Sequence, residues 1–206
     1  MRIEIIDLGQ NNLSSVEKAL LGNIRGTDSC ISISELSESN SPNLLVLPGL
    51  GHFASGMEKL KEKGFDDLLI QENTKKTPIV GICLGMQLFC LESEEAPGIP
   101  GLGIVAGMVR KLPDGEPRPN TGWGELEISN HSNHFSSLSL DRDFYFVHSF
   151  HVELHDPSQV LTKTKFAGTK FVSSYHAGNL LGFQFHPEKS GEIGQSLISE
   201  IIDWAR

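Results

Sequence analysis

No stretch of this sequence approaches the roughly 18 consecutive apolar residues that a transmembrane helix needs. The apolar run at the start of the chain is cut short by Asp7, so it lacks the organisation of a secretory signal peptide. Basic residues are also scarce: 17 lysines and arginines stand against 26 acidic residues, which gives a formal charge of −9. With this balance and no basic stripe, we expect no nucleic-acid partner and no membrane partner.

The sequence is poor in cysteine, with only Cys30, Cys83 and Cys90. They form no Cys-x-x-Cys pair and no disulfide framework, so we expect reduced thiols and a cytoplasmic protein. Five of the eight histidines lie between residues 131 and 155, but no compact Cys/His ligand spacing appears there. We therefore expect neither a metal nor a cofactor.

The first half of the chain alternates strand and helix patterns. This alternation predicts an α/β fold with a mostly parallel, doubly wound central sheet and helices on both of its faces. The run Leu44–Leu47 is apolar at every position, as expected of a strand that is covered on both sides. Ser14 and Glu17 have the spacing of a capping box, which predicts that the first helix opens there. The predicted strands cover residues 3–6, 31–33, 44–47 and 79–82, and the predicted helices cover residues 14–21, 57–63, 65–71 and 84–91.

The second half contains short strand patterns separated by turn residues, which predicts additional antiparallel strands. Residues 113–122 hold three prolines and two glycines and form a predicted internal loop. We expect no domain boundary there, and hence one domain over residues 1–206. A final helix presents one apolar face to the sheet. The strand patterns lie at residues 101–112, 123–128, 144–150, 160–165, 171–175 and 180–185.

Cys83 lies where the predicted strand 79–82 meets the next helix pattern, with Gly81 and Gly85 on either side. A thiol at such a strand-to-helix corner is exposed above the sheet edge, and the N-terminal end of the helix stabilises its thiolate. The glycines let the chain turn tightly and let a substrate approach the backbone. The corner alone does not distinguish a nucleophile from a buried structural cysteine, which is how we interpret the other two cysteines.

His186 and Glu188 follow another predicted strand and are separated by Pro187. Proline stiffens the link, and a separation of two residues can place both side chains on the same side of an extended segment. There the imidazole can take a thiol proton and return it to a leaving amine, while the carboxylate holds the imidazole in one tautomer. Parallel strands that are distant in sequence end along one sheet edge, so Cys83 is within reach. A surface turn is the alternative for these residues alone.

The segment Pro48-Gly49-Leu50-Gly51-His52 directly follows the predicted strand 44–47. Glycines at the carboxyl end of a strand allow backbone N–H groups to turn toward a developing oxyanion. A helix-entry turn is the alternative. Together the three clusters supply a nucleophile, a base, an orienting carboxylate and an oxyanion site, which is the set of groups that acyl transfer requires.

The motifs of these clusters resemble the signature elements of class I (triad) glutamine amidotransferases. Further segments are similar to the glutaminase subunits of imidazole glycerol phosphate synthase, an enzyme of histidine biosynthesis, and the similarity runs from Met1 to the last helix. The motifs are Gly81-Ile82-Cys83-Leu84-Gly85-Met86-Gln87, His186-Pro187-Glu188 and Pro48-Gly49-Leu50-Gly51, and the further segments are residues 7–9, 15–20, 93–95, 122–123, 145–149 and 182–190.

The resemblance implies that Cys83 attacks the carboxamide of L-glutamine to form a glutamyl thioester, with His186 moving protons and Glu188 orienting it. It implies an oxyanion hole made by the backbone N–H groups of Gly51 and Leu84. The residues that it implies for holding glutamine are Gly49, Gln87, His148, Ser149 and Phe150.

The resemblance also implies a partner. Ammonia would pass to a barrel-type synthase/cyclase subunit in a heterodimer, which makes imidazole glycerol phosphate and AICAR. By the same resemblance, the isolated chain is a poor glutaminase, because the partner orders the oxyanion loop Gly49 to His52.

The sequence departs from the family pattern in two loops. The family's Asp-x-Gly-x-Gly-Asn has Asn11 in place of the second glycine, and asparagine tolerates a left-handed backbone better than most residues. The family's Pro-His-x-Gly-Trp-Asn has Asn120 in place of histidine and Gly124 in place of the final asparagine. Neither departure touches the triad, but they concern the partner-facing surface. They leave open a second pathway, in which a paralogous glutaminase subunit supplies ammonia for amidination of a bacterial surface sugar.

Two other classes of function remain as alternatives. A cysteine peptidase would use the same corner, but Gln87 and the segment His148-Ser149 suit a small free amino acid. A binding or regulatory subunit with an inactive site is disfavoured because Cys83, His186 and Glu188 are all present.

Overall fold

The computed structural model describes residues 1–9, 13–115, 117, 119–129, 135–138 and 142–206. The strands are β1 (Arg2–Ile6), β2 (Ser29–Ile33), β3 (Leu44–Gly49), β4 (Ile79–Cys83), β5 (Glu92–Ser93), β6 (Gly107–Lys111), β7 (Asn120–Glu125), β8 (Glu127–Ile128), β9 (Asp143–His148), β10 (Phe150–Leu154), β11 (Val160–Phe166), β12 (Thr169–Ala177) and β13 (Leu180–Phe183). The α-helices are α1 (Leu13–Leu21), α2 (Phe53–Lys63), α3 (Phe65–Lys75), α4 (Leu84–Leu88) and α5 (Gly191–Trp204).

The central sheet has a parallel half and an antiparallel half. Strands β2, β1, β3, β4 and β13 run parallel in that spatial order. Strands β12, β10 and β6 continue the sheet with antiparallel pairing, and β7 and β9 form a separate antiparallel pair. The predicted fold class, a mostly parallel sheet with antiparallel additions in the second half, is confirmed.

The parallel strands are buried on both faces, as their continuous apolar runs predict. In β3, Leu44 and Val46 belong to the core that contains the buried faces of α1 and α5, whereas Leu45 and Leu47 belong to the core that contains those of α2, α3 and α4. All four side chains are at most 2% exposed. Burial of each such side chain contributes roughly 1.5–3 kcal/mol, so the two helix layers fix the sheet from both sides.

Four helix boundaries differ from the prediction. Helix α2 begins at Phe53 and not at Met57, and α3 ends at Lys75 and not at Gln71. Helix α1 begins at Leu13, so Ser14 lies inside the helix and the predicted capping box is wrong. Helix α4 ends at Leu88 and not at Leu91. The backbone carbonyl groups of residues 88–91 accept hydrogen bonds from the segment 101–105 instead of continuing the helix. Tertiary pairing of this kind overrides the helical pattern of the sequence.

The predicted strand 144–150 is in fact two strands in different sheets. Strand β9 ends at His148 and pairs with β7, whereas β10 begins at Phe150 and pairs with β6 and β12. The chain therefore crosses from one sheet to the other at Ser149. The predicted loop 113–122 is wrong at its end, because β7 already begins at Asn120.

In the described part of the chain, no helix has the length and apolar character needed to cross a membrane.

Candidate active site

Three parallel strands end side by side at the carboxyl edge of the sheet. Gly49, the last residue of β3, lies opposite Cys83, the last residue of β4. On the other side of β4, Phe183 at the end of β13 lies opposite Ile82. His186 follows β13 by three residues, so the sheet itself brings the glycine loop, the thiol and the imidazole to one edge.

The backbone at Cys83 is strained. Its φ of +53° and ψ of −109° lie in a region that residues with a Cβ rarely adopt. A Cβ on Gly81 would lie 2.6 Å from the backbone nitrogen of Met86, and a Cβ on Gly85 would lie 1.8 Å from the carbonyl oxygen of Leu47. The two glycines are therefore required because α4 packs directly on β3 and β4, a reason that differs from the predicted close approach of a substrate.

Cys83 is buried, at 5% exposure, which differs from the exposed thiol predicted for the corner, and its sulfur has polar neighbours on several sides. The side-chain amide of Gln184 donates to Sγ at 3.6 Å, and the carbonyl oxygen of Val147 lies 3.8 Å from Sγ. His186 also interacts with Cys83, and this interaction raises the pKa of the imidazole. The thiol and the imidazole therefore lie close enough to influence each other's charge.

His186 and Glu188 form a fully buried pair, with 2.7 Å between Nδ1 and Oε1. The extended geometry predicted for this segment is wrong, because Pro187–Lys189 forms a 3₁₀ turn. Proline fits the first position of such a turn as well as an extended segment, and the turn folds the carboxylate back onto the ring. Since Nδ1 is engaged with Glu188, Nε2 is the ring nitrogen available to Cys83.

Opposing effects set the pKa of His186. Burial by itself lowers this pKa, but the charge and hydrogen bonding of Cys83, followed by those of Glu188, outweigh burial and raise the pKa to about 9. The imidazole is therefore held protonated near neutral pH when the sulfur beside it is a thiolate. In general, a protonated imidazole beside a cysteine favours the thiolate, which is the nucleophilic form of the side chain.

A cavity of about 230 Å³ opens beside the sulfur. This volume lies below the roughly 300–1,000 Å³ of sites for drug-sized ligands, so it suits a smaller molecule. Gly51 contributes a left-handed backbone with a φ of +116°, which favours glycine. The lining residues are Leu50, Gly51, Cys83, Leu84, Gln87, Glu95, Pro119, Val147, His148, Ser149 and Phe150. The wall thus includes every predicted oxyanion and substrate residue except Gly49, which ends β3 just outside it.

His148 is a neutral residue of the cavity wall. Burial lowers its pKa to about 3, against the opposing effect of its hydrogen bond to Phe150. A carbonyl oxygen can only accept, so Nδ1 carries the proton and donates to the Phe150 oxygen at 2.8 Å. Nε2 must then accept from the side-chain amide of Asn120, which lies 3.0 Å away.

The two family departures in β7 can be explained locally. Asn120, expected at a partner-facing surface, hydrogen-bonds to the cavity residue His148. At Gly124, a Cβ would lie 3.0 Å from side-chain atoms of Phe146 and Thr164, so an asparagine there would require those side chains to move. Asn11 falls outside the described residues.

Sequence reasoning missed two polar residues of the site. Glu95 lines the cavity, and its Oε2 accepts a hydrogen bond from the backbone nitrogen of Phe53 at 2.7 Å. Gln184 is fully buried yet contacts the sulfur. Its position between Phe183 and Phe185, in an otherwise apolar run, was the available signal.

The other two cysteines have the character of structural thiols. Burial raises the pKa of Cys30 to about 11, with a smaller contribution from the charge of Glu17. Burial raises the pKa of Cys90 to about 12.

Within the part of the chain that the structure describes, no group of three or more His, Cys, Asp or Glu side chains could hold a metal ion.

The arrangement of thiol, imidazole and carboxylate at this sheet edge is typical of enzymes that transfer an acyl group through cysteine. The family model for glutamine amidotransferase class-I matches residues 6–203, and the chain belongs to that family, as the sequence motifs predicted.

Similar proteins support this assignment. The imidazole glycerol phosphate synthase subunit HisH of Pyrococcus furiosus is 41% identical over 197 residues, which cover 96% of either chain. The subunit of the same name from Symbiobacterium thermophilum is 39% identical and covers 100% of this chain and 93% of its own. A crystal structure described as a glutamine amidotransferase superposes with a TM-score of 0.76 over 98% of both chains, at 18% identity. At this sequence identity, the structural similarity supports the fold alone.

Proposed function

We propose that this chain is the glutaminase subunit of an imidazole glycerol phosphate synthase, which releases ammonia from L-glutamine and passes it to a second subunit. The observation that carries the proposal is the buried pair of His186 and Glu188, with 2.7 Å between Nδ1 and Oε1, which interacts with Cys83 at the wall of a small cavity. The similar proteins support the choice of synthase, since each of them is named as a subunit of imidazole glycerol phosphate synthase.

The reaction begins with the thiolate of Cys83. Sγ attacks the carboxamide carbon of glutamine, and the oxyanion of the tetrahedral intermediate accepts hydrogen bonds from the backbone N–H groups of Gly51 and Leu84. His186 gives its proton to the leaving nitrogen, the C–N bond breaks, and ammonia departs from a glutamyl thioester. Water, activated by the same imidazole, then attacks the thioester, glutamate leaves and the thiolate is restored.

Acceptor groups in the cavity wall suit a free amino acid. The Nε2 atom of Gln87 donates to the Phe150 carbonyl oxygen and to Gln184 Oε1, each at 2.9 Å, so Gln87 offers only its oxygen to a ligand. Glu95 adds a carboxylate to the same wall. We assign these oxygens to the α-ammonium group of glutamine. An internal peptide residue lacks that group, which disfavours the peptidase alternative.

The partner surface is proposed around Trp123. This side chain is 58% exposed and its ring stacks edge-to-face on Tyr145, with 6.0 Å between ring centroids. Trp123 lies on β7, the strand that begins at Asn120, which hydrogen-bonds to the cavity residue His148. Exposed aromatic residues of this kind anchor protein interfaces. A synthase/cyclase subunit of the barrel type, docked here as a heterodimer, would receive ammonia from the adjacent site.

The experiment that tests the proposal compares two ammonia sources in the reconstituted complex. Replacing Cys83→Ala should abolish synthesis from glutamine but leave synthesis from added ammonium salts largely intact, because only the partner performs the second reaction. Loss of both activities would contradict this division of labour. The isolated subunit should hydrolyse glutamine much more slowly than the complex, and equal rates would contradict control by the partner.

The roles within the pair can be separated by matched substitutions. His186→Asn should reduce glutamine-dependent turnover more than Glu188→Gln does, because the first removes the base and the second only its orienting charge. The expected losses differ by roughly tenfold or more on this reasoning. Equal losses, with unchanged ammonia-dependent activity as the folding control, would contradict the assigned roles.

A second candidate function is supply of ammonia for amidination of a bacterial surface sugar. The observation that favours it is the altered β7, in which Asn120 hydrogen-bonds to the cavity residue His148 and a Cβ at Gly124 would lie 3.0 Å from side-chain atoms of Phe146 and Thr164. Glutamine chemistry would be the same in either pathway. Isolation of the natural partner and identification of its aminated product decide between the two.

A further inference from the structure

We propose that Gln184 stabilises the nucleophile by donating a side-chain hydrogen bond to the thiolate of Cys83, an inference that rests on the function proposed above. Gln184 lies just beyond β13 and is fully buried, and its Nε2 atom is 3.6 Å from Sγ. A buried amide beside a reacting sulfur either stabilises or destabilises the thiolate, depending on which end of the amide faces the sulfur. An N–H group favours the anion, whereas the carbonyl oxygen would oppose it.

The hydrogen-bond network fixes which end of the amide faces the sulfur. The chain of bonds starts at the Phe150 carbonyl oxygen, which can only accept, so the Gln87 atom facing it at 2.9 Å must be nitrogen. The same nitrogen lies 2.9 Å from Gln184, whose facing atom must then be the oxygen. The other end of the Gln184 amide, its NH₂ group, is left pointing at Cys83. The orientation follows from the network and does not depend on a choice of amide flip.

The surroundings of the sulfur show why a donor is needed there. The Val147 carbonyl oxygen lies 3.8 Å from Sγ and can accept from a thiol, but it repels a thiolate. His186 supplies a positive charge on another side, and it also has to leave its proton with the departing ammonia. Gln184 is a neutral donor that stays in place throughout, so it stabilises the anion before attack and again when the thioester is hydrolysed.

The same side chain also holds the substrate residue Gln87. Gln184 Oε1 accepts a hydrogen bond from one of the two side-chain N–H groups of Gln87. The Gln87 side chain is therefore held with its oxygen turned to the cavity. Loss of the Gln184 amide should therefore have two separable effects. One is on thiol reactivity, which needs no glutamine, and the other is on the KM for glutamine.

The test is the pH dependence of alkylation of Cys83 by iodoacetamide in the complex with the partner subunit. Gln184→Met keeps the length of the side chain and removes both polar ends. The control is Ser173→Ala: Ser173 is also fully buried, and its backbone oxygen, which the substitution leaves in place, accepts a hydrogen bond from the backbone nitrogen of Gln184 at 2.9 Å. We expect the midpoint of the alkylation profile to move up by about one pH unit in Gln184→Met, with roughly tenfold slower alkylation at pH 7. The control should match the wild type.

An unchanged midpoint in folded Gln184→Met, or an equal shift in the Ser173→Ala control, would overturn the proposal. If Gln184→Met does not fold, the wild-type chain gives the answer by NMR. The side-chain amide protons of Gln184 should shift with pH at the same midpoint as Cys83 alkylation, and the shift should vanish in Cys83→Ser. A Gln184 amide resonance that does not shift when Cys83 ionises would contradict the hydrogen bond.

Failure of the proposed function would look different. In that case alkylation of wild-type Cys83 would leave glutamine-dependent synthesis intact, whatever the behaviour of Gln184. If alkylation abolishes synthesis but Gln184→Met leaves the profile unchanged, only the inference about Gln184 is wrong.

Discussion

Replacing His148→Asn should flatten the dependence of folding stability on pH in mildly acidic solution. Burial lowers the pKa of His148 from 6.5 to about 3 in the folded protein. Between these two values the unfolded chain binds a proton at this position that the folded chain does not. Stability therefore falls as the pH drops from about 6.5 toward 3, and this contribution is constant above 6.5.

The size of the effect follows from the same two values. Each pH unit inside the window changes the free energy of unfolding by about 1.4 kcal/mol for one proton. At pH 5 the wild type should have lost about 2 kcal/mol through this group alone, which is a large part of the margin of an ordinary domain. His148 also lines the cavity, so the site should be lost over the same pH range in which the core loses stability.

The assay is urea unfolding of both proteins at several pH values between 4 and 7.5. Asparagine retains an amide donor for the Phe150 carbonyl oxygen but cannot titrate, and it loses the ring contact with Phe171, where 5.0 Å separates the centroids. The variant should be less stable than the wild type at pH 7, and the difference should shrink toward pH 5. Carboxylates titrate in both proteins and cancel in the difference. Parallel curves for the two proteins would refute the reasoning.

Gly85→Ala should cost about 3 kcal/mol or more in urea unfolding, because the added Cβ meets a backbone oxygen 1.8 Å away. Gly22→Ala is the control, since its nearest atom would be 3.4 Å away, and a similar loss there would contradict a specific role of the corner. In native protein at pH 7.5, iodoacetamide should label Cys83 first. Burial keeps Cys30 and Cys90 protonated, with pKa values of about 11 and 12, and peptide mass mapping that finds either one modified first would contradict this order.

The parts of the fold that the sequence predicts well are those set by local pattern. The apolar run Leu44–Leu47 is a buried strand because a parallel sheet covers it on both faces. The corner at Cys83 is predicted by its two flanking glycines, whose absent side chains are what lets the helix pack so closely. These features are visible in residues that are adjacent in the chain, although the contacts that explain them include distant residues such as Leu47.

The features that the sequence did not reveal depend on distant parts of the chain. Pro187 is compatible with both an extended segment and a 3₁₀ turn, and only packing selects the turn. The break at Ser149 exists because β9 and β10 find partners in different sheets. Gln184 reaches the sulfur because β4 and β13 pair, a contact between residues 101 positions apart.

The central claim is that glutamine becomes attached to Cys83 during turnover. Rapid acid quenching of the working complex, followed by mass spectrometry of its peptides, measures this attachment directly. A glutamyl group on the peptide that contains Cys83, absent in Cys83→Ser, is the predicted result. Sustained turnover of glutamine by Cys83→Ser, or a glutamyl group on another residue, would contradict the account.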